Sequence, residues 1–306
     1  MGFLTRLPRV RREFFQRWDE PREHEPAHAY LSRLAGLNLQ TSARVFAEEM
    51  GLDGRQLPPD ACLDAARHLP IAGLSRLIDA TPIVTKRRVQ FLGRSVRRKR
   101  WSGDEPRWCP GCIAESPHYR VYHGLLSFTV CPFHGVPIEI GTGGDDSLSW
   151  RHPSLAFTPN GRRIGRKLPC HDEPIPSFER WMLGHLGVIE PWPIPILDGA
   201  ALDQAIDTVD LLGRAAIRGW SRQAPRIRAG GLMRRDVVAR GFAVLSGGRA
   251  EIEALFERVA WEAGHQRGPK DCTWGLNHSF GWLFAAVHNC LDVRPPWRPQ
   301  RCGGRA

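Results

Sequence analysis

The sequence lacks most of what a membrane protein, a disulfide scaffold or a nucleotide-driven enzyme needs. No apolar run among its 306 residues approaches the roughly twenty required to span a bilayer, so no membrane segment is expected. The opening stretch MGFLTRLPRVRREFFQRWDE places Arg6, Pro8, Arg9, Arg11 and Arg12 where a secretory signal needs an apolar core, which argues against secretion. Eight cysteines are too few for a disulfide framework in a chain of this length. Two of them form a Cys-x-x-Cys knuckle and a third a Cys-x-x-His, so metal in a reducing cytoplasm is the expected use. Phosphate-loop, serine-elbow and His-Glu-x-x-His patterns are all missing, and no repeat recurs at a fixed period. Acids are also short, 32 against 43 cationic residues, for a net charge of +11. Nearly all the cations are arginine, whose planar fork suits phosphate, so a polyanionic partner is expected.

What is present reads as a mainly α chain in several parts. Residues 1–26 are a basic arm, loosely held, that ends in the proline-broken DEPREHEP. An N-terminal helical domain, 27–100, follows. Tyr30, Leu31, Leu34 and Leu37 line one face of a first helix that Asn38 can stop. Thr41 or Ser42 caps a second carrying Val45, Phe46 and Met50. DACLDAARHL and LSRLIDA form a third and fourth, joined by PIAG in the manner of a helix-turn-helix. That pair either reads DNA, through Ser75 and Arg76, or is plain packing.

From Lys86 to Arg100 the chain carries eight cations and no acid: Lys86, Arg87, Arg88, Arg94, Arg97, Arg98, Lys99 and Arg100. Such a run self-repels unless anions are near, so it is either a nucleic-acid contact or a solvated helix face.

Residues 101–145 form a small module around RWCPGCIAESPHYRVYHGLLSFTVCPFHG. Cys109, Cys112, Cys131 and His134 supply three thiolates and an imidazole, a closed four-ligand set for one structural zinc. A hydrolytic zinc would keep one position for water. LLSFTV and GVPIEI read as two short strands with the second knuckle as their turn, a β-hairpin. Gly111 is expected to let the first knuckle turn tightly. His118 and His123 are reserve ligands by position only. Cys170, Cys272, Cys290 and Cys302 lack knuckle partners and read as free or buried thiols.

Residues 146–306 read as an all-α C-terminal domain with helices in SFERWMLGHLG, ALDQAIDTVDLLGRAAIRGW, AEIEALFERVAWEAG and LNHSFGWLFAAVHNCL. The tryptophans 181, 220, 261, 274 and 282 are read as mostly core. Asn277, His278, His288 and Asn289 look nuclease-like, but residues ten or eleven apart sit about three turns from each other on a helix.

Two stretches together resemble the TniQ family of bacterial transposition proteins: AHAYLSRLAGLN, and the Cys-Pro-Gly-Cys to Cys-Pro-Phe-His-Gly segment with its Tyr-x-Arg spacer. The resemblance covers roughly residues 27–140. His123 stands where that family usually has tryptophan, and its frequent second Cys-x-x-Cys finger has no counterpart here. The resemblance implies a non-enzymatic, cytoplasmic accessory subunit that works at DNA beside an AAA+ ATPase and a transposase. Some relatives attach to an RNA-guided complex, and a homodimer is compatible with the role. A zinc-dependent transcription regulator and a metal-dependent nuclease are the competing readings.

Overall fold

A computed structural model describes residues 17, 19–40, 42–52, 58–69, 71–103, 105–141, 148, 150, 152, 154–218 and 232–267. These divide into two compact units, the first ending at Pro191 and the second starting at Trp192.

The first unit opens with four short helices, α1 (Ala27–Leu37), α2 (Ala43–Glu49), α3 (Pro59–Ala66) and α4 (Leu74–Ala80). Tyr30, Leu31 and Leu34 of α1 fill a core with Phe46, Met50, Leu63 and Leu77. Ser42 caps α2 by accepting from the Arg44 N–H, and Asn38 ends α1 as expected. Val45, on the same helix as buried Phe46, is 41% exposed. The arm is not loose where it is described. Glu25 is fully buried and takes Arg33 bidentately, Nε and one terminal nitrogen each at 2.8 Å.

The basic run is a β-hairpin followed by a 3-10 turn, Arg98–Arg100, and not a helix face. β1 (Ile83–Val84), β2 (Arg88–Phe91) and β3 (Arg94–Arg97) form an antiparallel sheet in that order. Its cause is local. Val89, Phe91 and Val96 alternate with polar residues at period two and are buried, and Leu92 and Gly93, at φ of 47° and 67°, make the two-residue turn. Phe91 packs on Trp101 with ring centroids 4.7 Å apart.

In the next segment, β4 (Arg107–Trp108) pairs with β5 (Glu139–Ile140), and α5 (Pro110–Glu115) follows β4 directly. The hairpin expected from 126–130 and 136–140 is reduced to a single bridge, Val130 to Pro137. The Cys131 N–H donates to the Val136 carbonyl and the Ile138 N–H to that of Thr129, both at 2.9 Å, and beyond this β5 pairs with β4 instead. The alternation fails too, because Ser127 and Thr129 are buried along with Phe128.

α6 (Phe178–His185) completes this unit, with Trp181 buried between Phe178 and His185. The division therefore falls at 191 rather than the expected 145. The physical reason is Glu179, whose buried carboxylate accepts from the Thr129 N–H at 3.0 Å, the Thr129 hydroxyl at 2.7 Å and the Val130 N–H at 3.2 Å. Removing α6 would leave those donors unsatisfied.

The second unit contains α7 (Leu202–Arg218), α8 (Leu232–Ser246) and α9 (Gly248–Arg267). Leu202, Ile206, Val209 and Leu212 are buried along one stripe of α7, as read from the sequence. α8 was not anticipated, since its arginines and Gly241 break any regular stripe. It packs through backbone contact. A Cβ on Gly213 would lie 1.8 Å from the Val237 carbonyl oxygen, and one on Gly241 would lie 2.0 Å from that of Val209. The expected helix LNHSFGWLFAAVHNCL lies outside the described residues, as do Trp220, Trp274, Trp282, the side chain of Trp261, and Cys272, Cys290 and Cys302. No helix among the described residues is long and apolar enough to cross a membrane.

Candidate metal centre and basic sheet

Two knuckles meet face to face. Cys109 stands at the N-cap of α5 and Cys112 lies within its first turn, started by Pro110 at a position where the missing N–H costs nothing. Cys131 and His134 sit on the turn opposite, closed by the Gly135 N–H donating to the Cys131 carbonyl at 2.8 Å. Gly135, at φ 67°, occupies the left-handed region.

All four side chains are buried, and their ligand atoms lie within 4.8 Å of one another. Nδ1 of His134 is 3.5 Å from Cys112 Sγ, 3.5 Å from Cys131 Sγ and 3.6 Å from Cys109 Sγ, and Cys112 and Cys131 are 3.6 Å apart. A tetrahedron of ligands at ~2.3 Å from a central ion has edges near ~3.7 Å, so the spacing fits a metal. Three thiolates around one imidazole nitrogen also require a cation to balance their charge. The cluster can hold a metal ion with all four positions filled by protein.

What surrounds the ligands sets their orientation. Nε2 of His134 faces Glu115 Oε1 at 3.0 Å, which leaves Nδ1 for the sulfur side. Gly111 has a different purpose from the tight turn expected of it. It is helical, and a Cβ there would lie 2.3 Å from Cδ2 of the His134 ring, so the missing side chain makes room for the ligand.

The sequence assigns no role to the segment 164–175. It runs past both knuckles: Arg166 N–H donates to the Pro110 carbonyl at 3.0 Å, His171 N–H to Phe133 and Ile175 N–H to Pro132, both at 2.8 Å. Cys170, read as an isolated thiol, falls beside Glu115 and His134. It shares His134 with the first set and makes no independent site. A proline- and arginine-rich stretch without periodicity carries no signal for such backbone pairing.

His118 and His123 do not join the cluster. His118 Nδ1 pairs with the Ser116 hydroxyl at 3.0 Å. His123 is 1% exposed among Tyr119, Tyr122 and Phe128, and neither ring nitrogen has a hydrogen-bond partner. The aromatic group continues to α1, where His28 packs edge-on against Trp150 at 4.4 Å. Burial holds His28 and His118 down at about 3, and His123 well below its ordinary range.

A pH dependence follows. The folded values lie below the unfolded value near ~6.5, so the stability gained by keeping these rings neutral is complete above that pH. It is lost as pH falls from there toward the folded values, at ~1.4 kcal/mol per pH unit for each ring. Urea unfolding at pH 7.5 and 5.5 is therefore expected to show a loss about 1.4 kcal/mol smaller in His28→Leu than in the parent chain. Equal losses would contradict the neutral-ring assignment.

The residues singled out for DNA fall in two places. Lys86, Arg87, Arg88 and Lys99 are exposed on the sheet, Arg97, Arg98 and Arg100 are half-buried, and exposed Arg94 donates from Nε to the His185 carbonyl at 3.1 Å. Ser75 and Arg76 lie apart from them on α4, where Arg76 donates to the Pro21 carbonyl at 3.3 Å. His278 and His288 lie outside the described residues.

Comparison with known proteins adds one finding. A family model described as TniQ matches residues 17–138. That span contains α1–α5, the three-stranded sheet and all four residues of the cluster. No curated protein is similar enough to the chain to extend the assignment. Residues 17–138, which carry the paired knuckles and the sheet, are thus the part of this chain that is similar to the TniQ family.

Proposed function

We propose that the chain is a non-catalytic accessory protein of DNA transposition that links a transposition ATPase and transposase to a target DNA site. The observation that carries this reading is the closed Cys3His cluster within the family match: the set offers no position for a reactive water, and its neighbours are structural partners. The metal it would hold is zinc, the usual ion of three thiolates and one imidazole. Once bound, that ion cross-links α5 to the second knuckle and supplies folding energy. Net charge of +11 and the cationic sheet fit a partner that works against DNA.

The competing regulator would recognise an operator with no transposase present. The test is a pull-down of a transposition ATPase and transposase, with and without DNA, beside a nuclease assay in Mg²⁺ and Mn²⁺. Retention of the ATPase supports the adaptor role. Metal-dependent cleavage that disappears on changing His278 or His288 would replace it with the nuclease reading.

A further inference from the structure

The fold concentrates the basic run. In the sheet register Arg88 stands directly opposite Arg97, and the Arg98 N–H donates to the Arg87 carbonyl at 2.8 Å. Lys86 and Arg87 in the turn before β2, with Arg88 at its start, thus lie beside Arg97 at the end of β3 and Arg98 and Lys99 in the 3-10 turn that follows it. The fold gathers these six cations at one end of the sheet. Arg88 donates to the Ser95 hydroxyl at 2.7 Å, and its like charge stands directly opposite that of Arg97, a repulsion that a polyanion laid across the pair would lower.

The helix pair offers the reverse. A recognition helix uses its N-terminal residues on the bases. Here the start of α4 is covered: the Glu20 carboxylate accepts from the Gly73 N–H at 3.0 Å, and a Cβ on Gly73 would lie 2.9 Å from Pro21 Cδ. A carboxylate therefore holds the place a phosphate would take. Asp60, Asp64 and Asp79 are exposed on α3 and α4, and Arg67 is paired with Asp64 at 3.0 Å.

We propose that duplex DNA is bound at the pole of the three-stranded sheet formed by the turn 85–88 and residues 97–99, with backbone phosphates against its cations, and not by α3–α4. The assignment rests on the DNA-directed function proposed above and names the surface that serves it. Contacts of this kind go to phosphate, so affinity should depend strongly on salt and weakly on sequence.

The experiment is fluorescence anisotropy of the full chain, with its metal, on a labelled DNA duplex between about 50 and 200 mM salt. Lys86→Ala/Arg87→Ala/Lys99→Ala is expected to lower the slope of log affinity against log salt by roughly 2 to 3, near ~0.9 per lost phosphate contact, and to weaken low-salt binding about tenfold or more. Lys86→Arg/Arg87→Lys/Lys99→Arg should retain the parent slope, and Ser75→Glu should bind as the parent does. Metal content and thermal midpoint check that each variant folds, and single Lys99→Ala, with a slope lower by ~0.9, serves if the triple variant does not. An unchanged slope in the alanine variants, or loss of binding in Ser75→Glu, overturns this surface while leaving the DNA-directed function standing. A parent chain that does not bind duplex at all overturns both. Tighter binding of an RNA hairpin through the same three residues overturns the choice of DNA.

Discussion

Serine at position 109 or 131 is expected to remove the bound metal and, with it, the fold of residues 101–140. The purified parent chain should carry one zinc, because among the described residues only Cys109, Cys112, Cys131 and His134 form a complete four-ligand set. Regular secondary structure is scarce in this segment. β4 and β5 are two residues each, α5 has six, and the knuckle opposite is a turn. A structural zinc contributes on the order of 10 kcal/mol or more to folding in small modules, comparable to the whole net stability of a domain. A hydroxyl in place of one thiolate forfeits most of that and leaves two thiols and an imidazole buried around a gap. Elemental analysis should fall from one zinc to none. Amide exchange should rise across 107–140, while α7 and α8, with a core of their own, keep their protection. A serine variant that keeps its metal, or a parent chain carrying two, would contradict the assignment.

Arg107→Met is expected to cost about 3–5 kcal/mol without loss of metal. Arg107 is 4% exposed, and its guanidinium is threaded through the spacer between the knuckles. It donates to the carbonyls of His123 at 3.0 Å and Phe128 at 2.9 Å, and also to that of Leu125. The stretch makes one helical turn of 3-10 type, Val121–Gly124, and for the His123 and Phe128 carbonyls the arginine stands in for a backbone donor, while that of Leu125 also accepts from the Phe128 N–H at 3.0 Å. Methionine fills similar volume but leaves the His123 and Phe128 carbonyls to bear about 1–3 kcal/mol each. Lysine should recover only part of the loss, since one ammonium cannot span a fork of three acceptors. Chemical denaturation with parallel zinc analysis separates the cases. A midpoint near the parent's in Arg107→Met would contradict the bracing role, and loss of zinc would make Arg107 part of the metal centre's own support.

Part of this was legible beforehand because it is local. Two knuckles of two-residue spacing identify metal ligands, since residues three apart on a tight turn share a side and thiolates and imidazole suit few purposes together. The periodicity of Tyr30, Leu31 and Leu34, the cap at Ser42 and the stripe of α7 are short-range too, and each is present in the structure. Where the sequence misled, two local signals competed. The run 86–100 was weighed by its charge, whereas alternating Val89, Phe91 and Val96 around Leu92-Gly93 carried the strand period.

By itself the sequence determined the grouping of three cysteines with one histidine, the helical class and the similarity to TniQ proteins, because each rests on residue type at fixed spacing. Tertiary structure alone decided the rest. It placed Glu179 under Thr129, Glu115 behind His134 and Arg107 inside the spacer, and it gave Gly111 the task of clearing the ligand ring. It also set Glu20 on the start of α4. These partners lie 16 to 53 residues apart along the chain, and in the sheet a shift of register by a single residue would turn every side chain to the other face. No pattern in a single sequence encodes such distances, because the packing that sets them depends on the whole core at once.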